Sequence, residues 1–340
     1  ARTRPEADAR PADAVMRHVV RELERVLGRE RVISTPEELI AYEYDGTIER
    51  GKPQAVAFPE TTEHVSAAVR IAHQFDVPVV PRGAGTGLSG GAVAAVGGVV
   101  VALTRMKRVL EIDPVNRLAG VEPGVVNLDL SRAVAEYGLY YAPDPSSQRA
   151  CTIGGNVAEN AGGPHCLAYG ATTNHVLGVE LVLADGEVVW IGGRSRDVPG
   201  YDLTGAFVGS EGTLAIATKI VVRLMRLPES TRTLLAIFNA VDDASNAVSA
   251  IIAAGMLPSA LEMMEIRAPH DGLFVLQRNW RGDEPKIGEQ MWPGQSVAEI
   301  PLLEAMEVEV FVLEIDGSGL AESQPARIVI EARPDVVYDG

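Results

Sequence analysis

"PRGAGTGLSGG", residues 81–91, holds five glycines in eleven residues and contains Gly85-x-Gly87-x-x-Gly90, the glycine spacing of a dinucleotide-binding turn. In such a turn the glycines follow a strand and open a long helix whose N-terminus carries the pyrophosphate. The strand is present as "VPVV", 77–80. After Gly87, however, only "LSGGAVAAV" remains before Gly97 and Gly98 lead into the next strand, and Gly90 with Gly91 weakens any helix placed there. The spacing therefore predicts no Rossmann helix and disfavours a nicotinamide dehydrogenase. Glycine also reaches left-handed backbone angles, so successive N–H groups of a strand-loop-strand connection converge into a nest for an anion. Thr86 and Ser89 add hydroxyl donors. Spacing alone leaves two readings, a plain connecting loop and a pyrophosphate cradle.

Bulk properties narrow the class. A chain of 340 residues is long for one core and predicts two domains. With 46% apolar and 22% charged residues it is a packed globular sequence. Its formal charge of −16 repels a phosphate backbone and an anionic bilayer, so nucleic acid is not expected as a partner. No apolar run reaches membrane-spanning length and the first residues lack a secretory signal, giving a cytoplasmic expectation. Cys151 and Cys166 form no CxxC pair and read as small core residues with free thiols.

Helix and strand patterns alternate along the chain. "DAVMRHVVRELERVL" places Val15, His18, Val19, Leu23 and Leu27 on one helical stripe. "AVAFPETTEHVSAAVRIAHQFDVPVVPRG" reads strand, helix, strand, with Thr61 or Thr62 as N-cap, a buried face of Val65, Ala68, Val69 and Ala72, and His64 and His73 on the outer side. "GGVVVALTRM" and "LAGVEPGV" are further strands, and "LDLSRAVAEYG" is a helix closed by Gly138. "HVLGVELVLADGEVVWIGG" is a hairpin turning at Asp185-Gly186, followed by the strand "TLAIATKIVVRLMRLPE". Composition shifts at Pro228, where a domain boundary is expected. Beyond it, "RTLLAIFNA", "ASNAVSAIIAAG" and "SALEMME" read as strand, helix, strand. Asp242-Asp243 reads as a helix N-terminus and Glu262 with Glu265 as charges beside a strand rather than metal ligands. Trp280 and Trp292 read as cover for the edge of a small core.

Two more stretches pack glycine and small polar residues between strands: "YAPDPSSQRACTIGGNVAENAGG", 141–163, and "FVGSEGTLAI", 207–216. Three such loops in one region suggest a long ligand against exposed backbone. Together with "PHCLAYG", 164–170, and "PGYDLTGAFVGSEGTL", 199–214, they make the sequence resemble the flavoproteins with the FAD fold of vanillyl-alcohol oxidase and para-cresol methylhydroxylase. Within that family the resemblance is to the FAD-binding subunit of bacterial glycolate oxidase and FAD-linked D-2-hydroxyacid dehydrogenases. It covers about residues 55–228 and implies an α+β fold: a helical lead-in over 1–54, a two-subdomain FAD-binding domain over 55–228, and a partial or divergent α+β (ferredoxin-like) cap over 229–340. The start at Ala1 and the end at "DVVYDG" fit a partial member.

By position, the resemblance assigns Arg82, Gly83, Ala84, Gly85, Thr86, Gly87, Leu88 and Ser89 to the FAD pyrophosphate. It assigns Asp144, Ser147, Thr152, Gly154, Gly155, Asn156, Asn160, Gly162 and Gly163 to the ribityl chain and flavin ring, and Glu211, Gly212 and Ile216 to the adenine side. Some relatives hold FAD covalently through a His where this sequence has Thr86, so non-covalent FAD is implied. The implied activity is FAD-dependent oxidation of a small 2-hydroxy acid of the glycolate or D-lactate class, with an iron-sulfur subunit as a possible electron acceptor and attachment to the inner membrane only through partners. The family's later HxGDGNxH-type and EHG motifs are absent; the last histidine is His270. That departure leaves the catalytic residues unassigned and keeps a second reading open, an FAD-binding subunit whose active site another chain completes. His165 and His175 fall in the second motif region, where a structural hydrogen bond outweighs a role at the flavin.

Overall fold

A computed structural model of the chain describes residues 9–195, 199–232, 234, 236, 238, 240–261 and 263, together with the strand backbones of 275–276, 298–299, 327–329 and 337–339. The chain divides into two compact units, one of residues 1–232 with 237–264 and one of residues 233–236 with 265–340. In the second unit the described backbone forms two antiparallel pairs, 275–276 with 298–299 and 327–329 with 337–339.

The first unit runs α1 (Ala9–Leu27), β1 (Val32–Ile33), α2 (Pro36–Leu39), β2 (Ala55–Ala57), α3 (Thr62–Gln74), β3 (Val79–Arg82), β4 (Val99–Ala102), β5 (Val109–Asp113), β6 (Leu118–Val121), α4 (Asn127–Val134), β7 (Leu139–Tyr140), α5 (Ile153–Glu159), α6 (Cys166–Tyr169), β8 (Val176–Val182), β9 (Val188–Gly192), α7 (Leu203–Phe207), β10 (Ile216–Arg223), β11 (Met225–Arg226) and α8 (Val241–Ala253). Two sheets organise it. The smaller has the order β1-β2-β4-β3, with β4 parallel to both β2 and β3. The larger is antiparallel, β5-β6-β10-β8-β9.

In the smaller sheet the central strand β4 reads Val-Val-Val-Ala and is buried at every position, because both faces are covered. One face packs Val99 and Val101 against Val19, Leu23 and Leu27 of α1 and Val65, Ala68 and Val69 of α3; the other packs Val100 and Ala102 against Leu39 and Ala94. The Thr61 hydroxyl caps α3, accepting from His64 N at 3.2 Å. Met16, not the expected Val15, completes the α1 stripe: Met16 is buried and Val15 exposed, because the 3.6-residue turn carries Val15 round to solvent. His18 packs edge-on against Phe75 at 4.9 Å between ring centroids.

The larger sheet buries one face under Leu130 and Val134 of α4, Ile153 and Val157 of α5 and Phe207 of α7. The β8–β9 hairpin turns at Gly186 in the left-handed region, φ 80°, and Gly138 ends the α4 turn at φ 67°. The "IGGNVAE" stretch, expected to be loop, is helix. Thr152 caps it by accepting from Gly155 N, and Gly154 lets the helix press on Pro123, whose Cβ lies 2.5 Å from where a Gly154 Cβ would stand. Beyond Arg226, α8 forms as expected with Asp242 and Asp243 in its first turn. The described residues of the two flanking stretches expected as strands are irregular. Glu262, Glu265, His270, Trp280 and Trp292 lie outside the described residues.

The two sheets share a core in which Val182 and Ile216 pack with Val99 and Val101, and one carboxylate adds polar ties beside it. Glu180 on β8 accepts from Thr62 Oγ1 at 2.6 Å, Thr218 Oγ1 at 2.9 Å and Lys219 Nζ at 2.9 Å, tying the first turn of α3 to the larger sheet. Burial alone pushes its pKa up; the hydrogen bonds from Thr62, Lys219 and Thr218 outweigh that and hold the carboxyl below the usual glutamate range. A carboxyl with a lowered native pKa stabilises the fold above its unfolded value of about 4.3 and loses that contribution as pH falls through the native value. Replacing Glu180 with Gln therefore lowers stability at pH 7 and flattens the decline between about pH 5 and 3, as read from urea midpoints across that range.

Candidate functional site

The residues after β3 leave the carboxyl end of a parallel strand, the position where open α/β sheets receive ligands. Residues 83–98 contain no helix, as the glycines at 90 and 91 predicted. Instead the loop bends at Gly85, φ 71°, where a Cβ would strike the Arg82 guanidinium; only glycine fits both the backbone angle and the space. The chain before it is tied to the same loop by Gly46 N donating to Gly87 O at 3.0 Å. Among the described residues no protein acceptor receives the N–H groups of Ala84 to Gly91. A run of backbone donors that the protein itself does not use is free to bind an anion.

This loop forms one wall of a cleft of about 450 Å³ between the two sheets. Arg82, Gly83, Ala84, Gly85, Thr86, Gly87, Leu88 and Ser89 line it. So do Ser147, Thr152, Gly154, Gly155 and Asn156 from the second stretch, and Glu211, Gly212 and Ile216 from the third. The three glycine-rich stretches, 81–91, 141–163 and 207–216, thus meet at one place. Glu211 N donates to Ala158 O and Gly209 N to Val157 O, both at 2.9 Å, fastening the third stretch to α5. Asn156 is buried and fixed by Asn127 Nδ2 at 2.9 Å.

Four of the expected residues are not in the cleft lining. Asn160 ends α5 in the left-handed region and its Oδ1 accepts from Thr173 N at 2.9 Å. Asp144 pairs with His165, Oδ2 to Nδ1 at 2.7 Å. Gly163 N donates to Cys166 Sγ at 3.0 Å, and Gly162 lies against the same sulfur. Their side chains and turns order the segment that continues from Pro145, Ser146 and Ser147 of the lining. His165 stacks near Tyr169, and fully buried His175 contacts Tyr169 O at 3.0 Å through Nε2, the structural hydrogen bonds expected of both.

The cleft also contains residues that sequence reasoning missed: Asp45, Leu103, Pro123, Glu159, Ala161 and Phe207. Arg82 is its one lining cation, 7% exposed, with Nη1 donating to Ala92 O at 3.3 Å and the guanidinium over the Tyr42 ring at 5.6 Å. Burial pushes its pKa down, opposed by the charge of Asp45. Glu159 accepts from Ser89 Oγ at 2.7 Å. No group of three or more His, Cys, Asp or Glu residues among the described residues is placed to hold a metal.

Unpaired amides, hydroxyls and close backbone approach in a long cleft suit a dinucleotide with a pyrophosphate, and the fold and cleft define an FAD-binding flavoprotein domain. Residues 53–192 match the family described as FAD binding domain, with FAD as the cofactor that match supports. The chain is 50% identical over 252 residues to the glycolate oxidase subunit GlcD of Escherichia coli (strain K12), covering 73% of this chain and 50% of that protein. It is 41% identical over 246 residues to the D-lactate dehydrogenase of Archaeoglobus fulgidus, covering 71% and 55%. It spans about half the length of the curated relatives it matches. In fold it is similar to p-cresol methylhydroxylase, with a TM-score of 0.60 at 24% identity over 70% of this chain and 48% of that one. Alkyldihydroxyacetonephosphate synthase gives 0.62 at 21% identity, over 72% and 47%. No helix among the described residues is long and apolar enough to cross a membrane.

A methyl group at residue 85 meets both the strained angle and the guanidinium. Gly85→Ala is expected to weaken FAD binding by at least about tenfold, measured by fluorescence titration of the flavin-free protein. Leu88, 80% exposed, tolerates Ala with less than about a twofold change.

Proposed function

We propose that this chain holds FAD non-covalently in the cleft and oxidises a small 2-hydroxy acid of the glycolate or D-lactate class to the 2-oxo acid. The observation that carries the reading is the unbroken series of unpaired N–H groups from Ala84 to Gly91, which offers donors to a pyrophosphate that no protein group claims. Arg82 through Ser89 wrap the pyrophosphate, with Arg82 supplying charge from beneath. Glu211, Gly212 and Ile216 close the adenine side. Ser147, Thr152, Gly154, Gly155 and Asn156 follow the ribityl chain, and Asp144, Asn160, Gly162 and Gly163 fix the course of the backbone beside the ring. FAD bound there would supply the hydride acceptor for the carbon that bears the substrate hydroxyl, whose proton leaves to a base or to solvent. Thr86 stands in the first loop where a histidine link would be needed, which supports a non-covalent cofactor.

The substrate class is supported by the identity to a glycolate oxidase subunit and to a D-lactate dehydrogenase. Electrons pass to a partner, an iron-sulfur subunit in this reading, in the cytoplasm or at the inner membrane through that partner. The negative charge of −16 speaks against nucleic acid.

Purified protein is expected to show the flavin absorbance bands, to release its flavin into the supernatant on acid precipitation, and to bleach anaerobically with glycolate or D-lactate. Flavin retained in the acid pellet overturns the non-covalent assignment. Bound flavin that no hydroxy acid bleaches, with dye-coupled turnover at zero, assigns the chain instead to an FAD-binding subunit whose active site another chain completes.

A further inference from the structure

The cleft is lined by one guanidinium and three carboxylates, Arg82 against Asp45, Glu159 and Glu211, an odd balance for a site that takes a pyrophosphate. Carboxylates in such a place serve as hydrogen-bond acceptors rather than as counter-charges. Glu159 has its donor in Ser89. Asp45 does not have all of its own.

Asp45 is 7% exposed, and one half of its carboxylate is committed: Oδ1 accepts from Thr47 N at 2.8 Å and from Thr47 Oγ1 at 2.7 Å. The other oxygen, Oδ2, is buried and accepts from no group among the described residues. Arg82 is the nearby cation, but no ion pair joins the two, and its fork is turned to Ala92 O and the Tyr42 ring. A buried carboxylate oxygen without a donor costs free energy unless a ligand supplies one. Asp45 lines the same cleft as the phosphate loop and is tied to it through its neighbour, Gly46 N to Gly87 O at 3.0 Å.

Resting on FAD as the occupant of this cleft, we propose that Asp45 is a cofactor-binding residue whose Oδ2 accepts a hydrogen bond from a sugar hydroxyl flanking the pyrophosphate. Both neighbours of a flavin dinucleotide's phosphates are polyols, the adenosine ribose on one side and the ribityl chain on the other. The same chemistry, a carboxylate reading a ribose hydroxyl, recurs in dinucleotide sites built on a different turn.

The test compares wild type with Asp45→Asn in flavin-free protein. The Thr47 N–H requires an acceptor, so the asparagine oxygen takes the Oδ1 place and its NH2 group falls where Oδ2 was, donor against donor. The melting temperature is expected to stay within about 2 °C of wild type, because the turn at Thr47 keeps its acceptor. The FAD dissociation constant by calorimetry rises at least about tenfold. Titration with ADP and with FMN locates the hydroxyl: a matching loss for ADP assigns the ribose, and a matching loss for FMN assigns the ribityl chain. An FAD affinity within about twofold of wild type overturns the proposal, as does a loss that appears only in step with a large fall in melting temperature, which marks Asp45 as structural. Wild-type protein that binds no FAD sinks the underlying assignment of the cleft instead.

Discussion

The cleft of this chain is bordered by a stretch of half-buried and exposed main-chain amides that no acceptor among the described residues receives. The segment from Ala84 to Gly91 leaves a parallel strand, turns at Gly85 without forming a helix and returns to β4. Everything that makes the turn possible lies close by. Arg82 is held beneath it by Ala92 and Tyr42, and Gly46 is fastened to its outer edge. The opposite wall comes from the larger sheet and the helices packed on it, so the amides face a cleft rather than a second layer of backbone.

The two sheets are built for different tasks. The smaller, covered on both faces, is a support whose strand ends carry the glycine-rich loop 83–98. The larger buries one face under α4, α5 and α7 and offers the start of β10 to the cleft. Glu180 ties α3, which packs on the smaller sheet, to the larger one by accepting from Thr62 as well as from Thr218 and Lys219, beside the core the two sheets share. A ligand that bridges both walls depends on that joint.

Most of the scaffold was legible in the amino-acid order. Val-Val-Val-Ala in β4, the stripe of α3 and the Asp185-Gly186 turn follow from burial, periodicity and backbone preference. The absence of a helix after Gly87 was equally legible, since Gly90 and Gly91 forbid it cheaply. The second glycine-rich stretch was not: "IGGNVAE" carries the composition of a loop, yet the Thr152 cap and the close approach to Pro123 make it helix, a tertiary effect that local propensity does not contain. The same limit applies to the cleft. Family resemblance marks contiguous residues, whereas the fold diverts Asp144 to His165, Asn160 to Thr173 and Gly163 to Cys166. Asp45 drew no reading from the sequence, because nothing in the order of residues tells that its second carboxylate oxygen is buried.

A row of peptide N–H dipoles with the single guanidinium of Arg82 behind it meets an anion differently from a cluster of lysines. Dissolved ions gather around free charges and dim them, but they do not gather around dipoles fixed inside a folded wall. Position along such a wall is set by the course of the main chain rather than by a cluster of mobile cations, in a molecule that is otherwise strongly acidic.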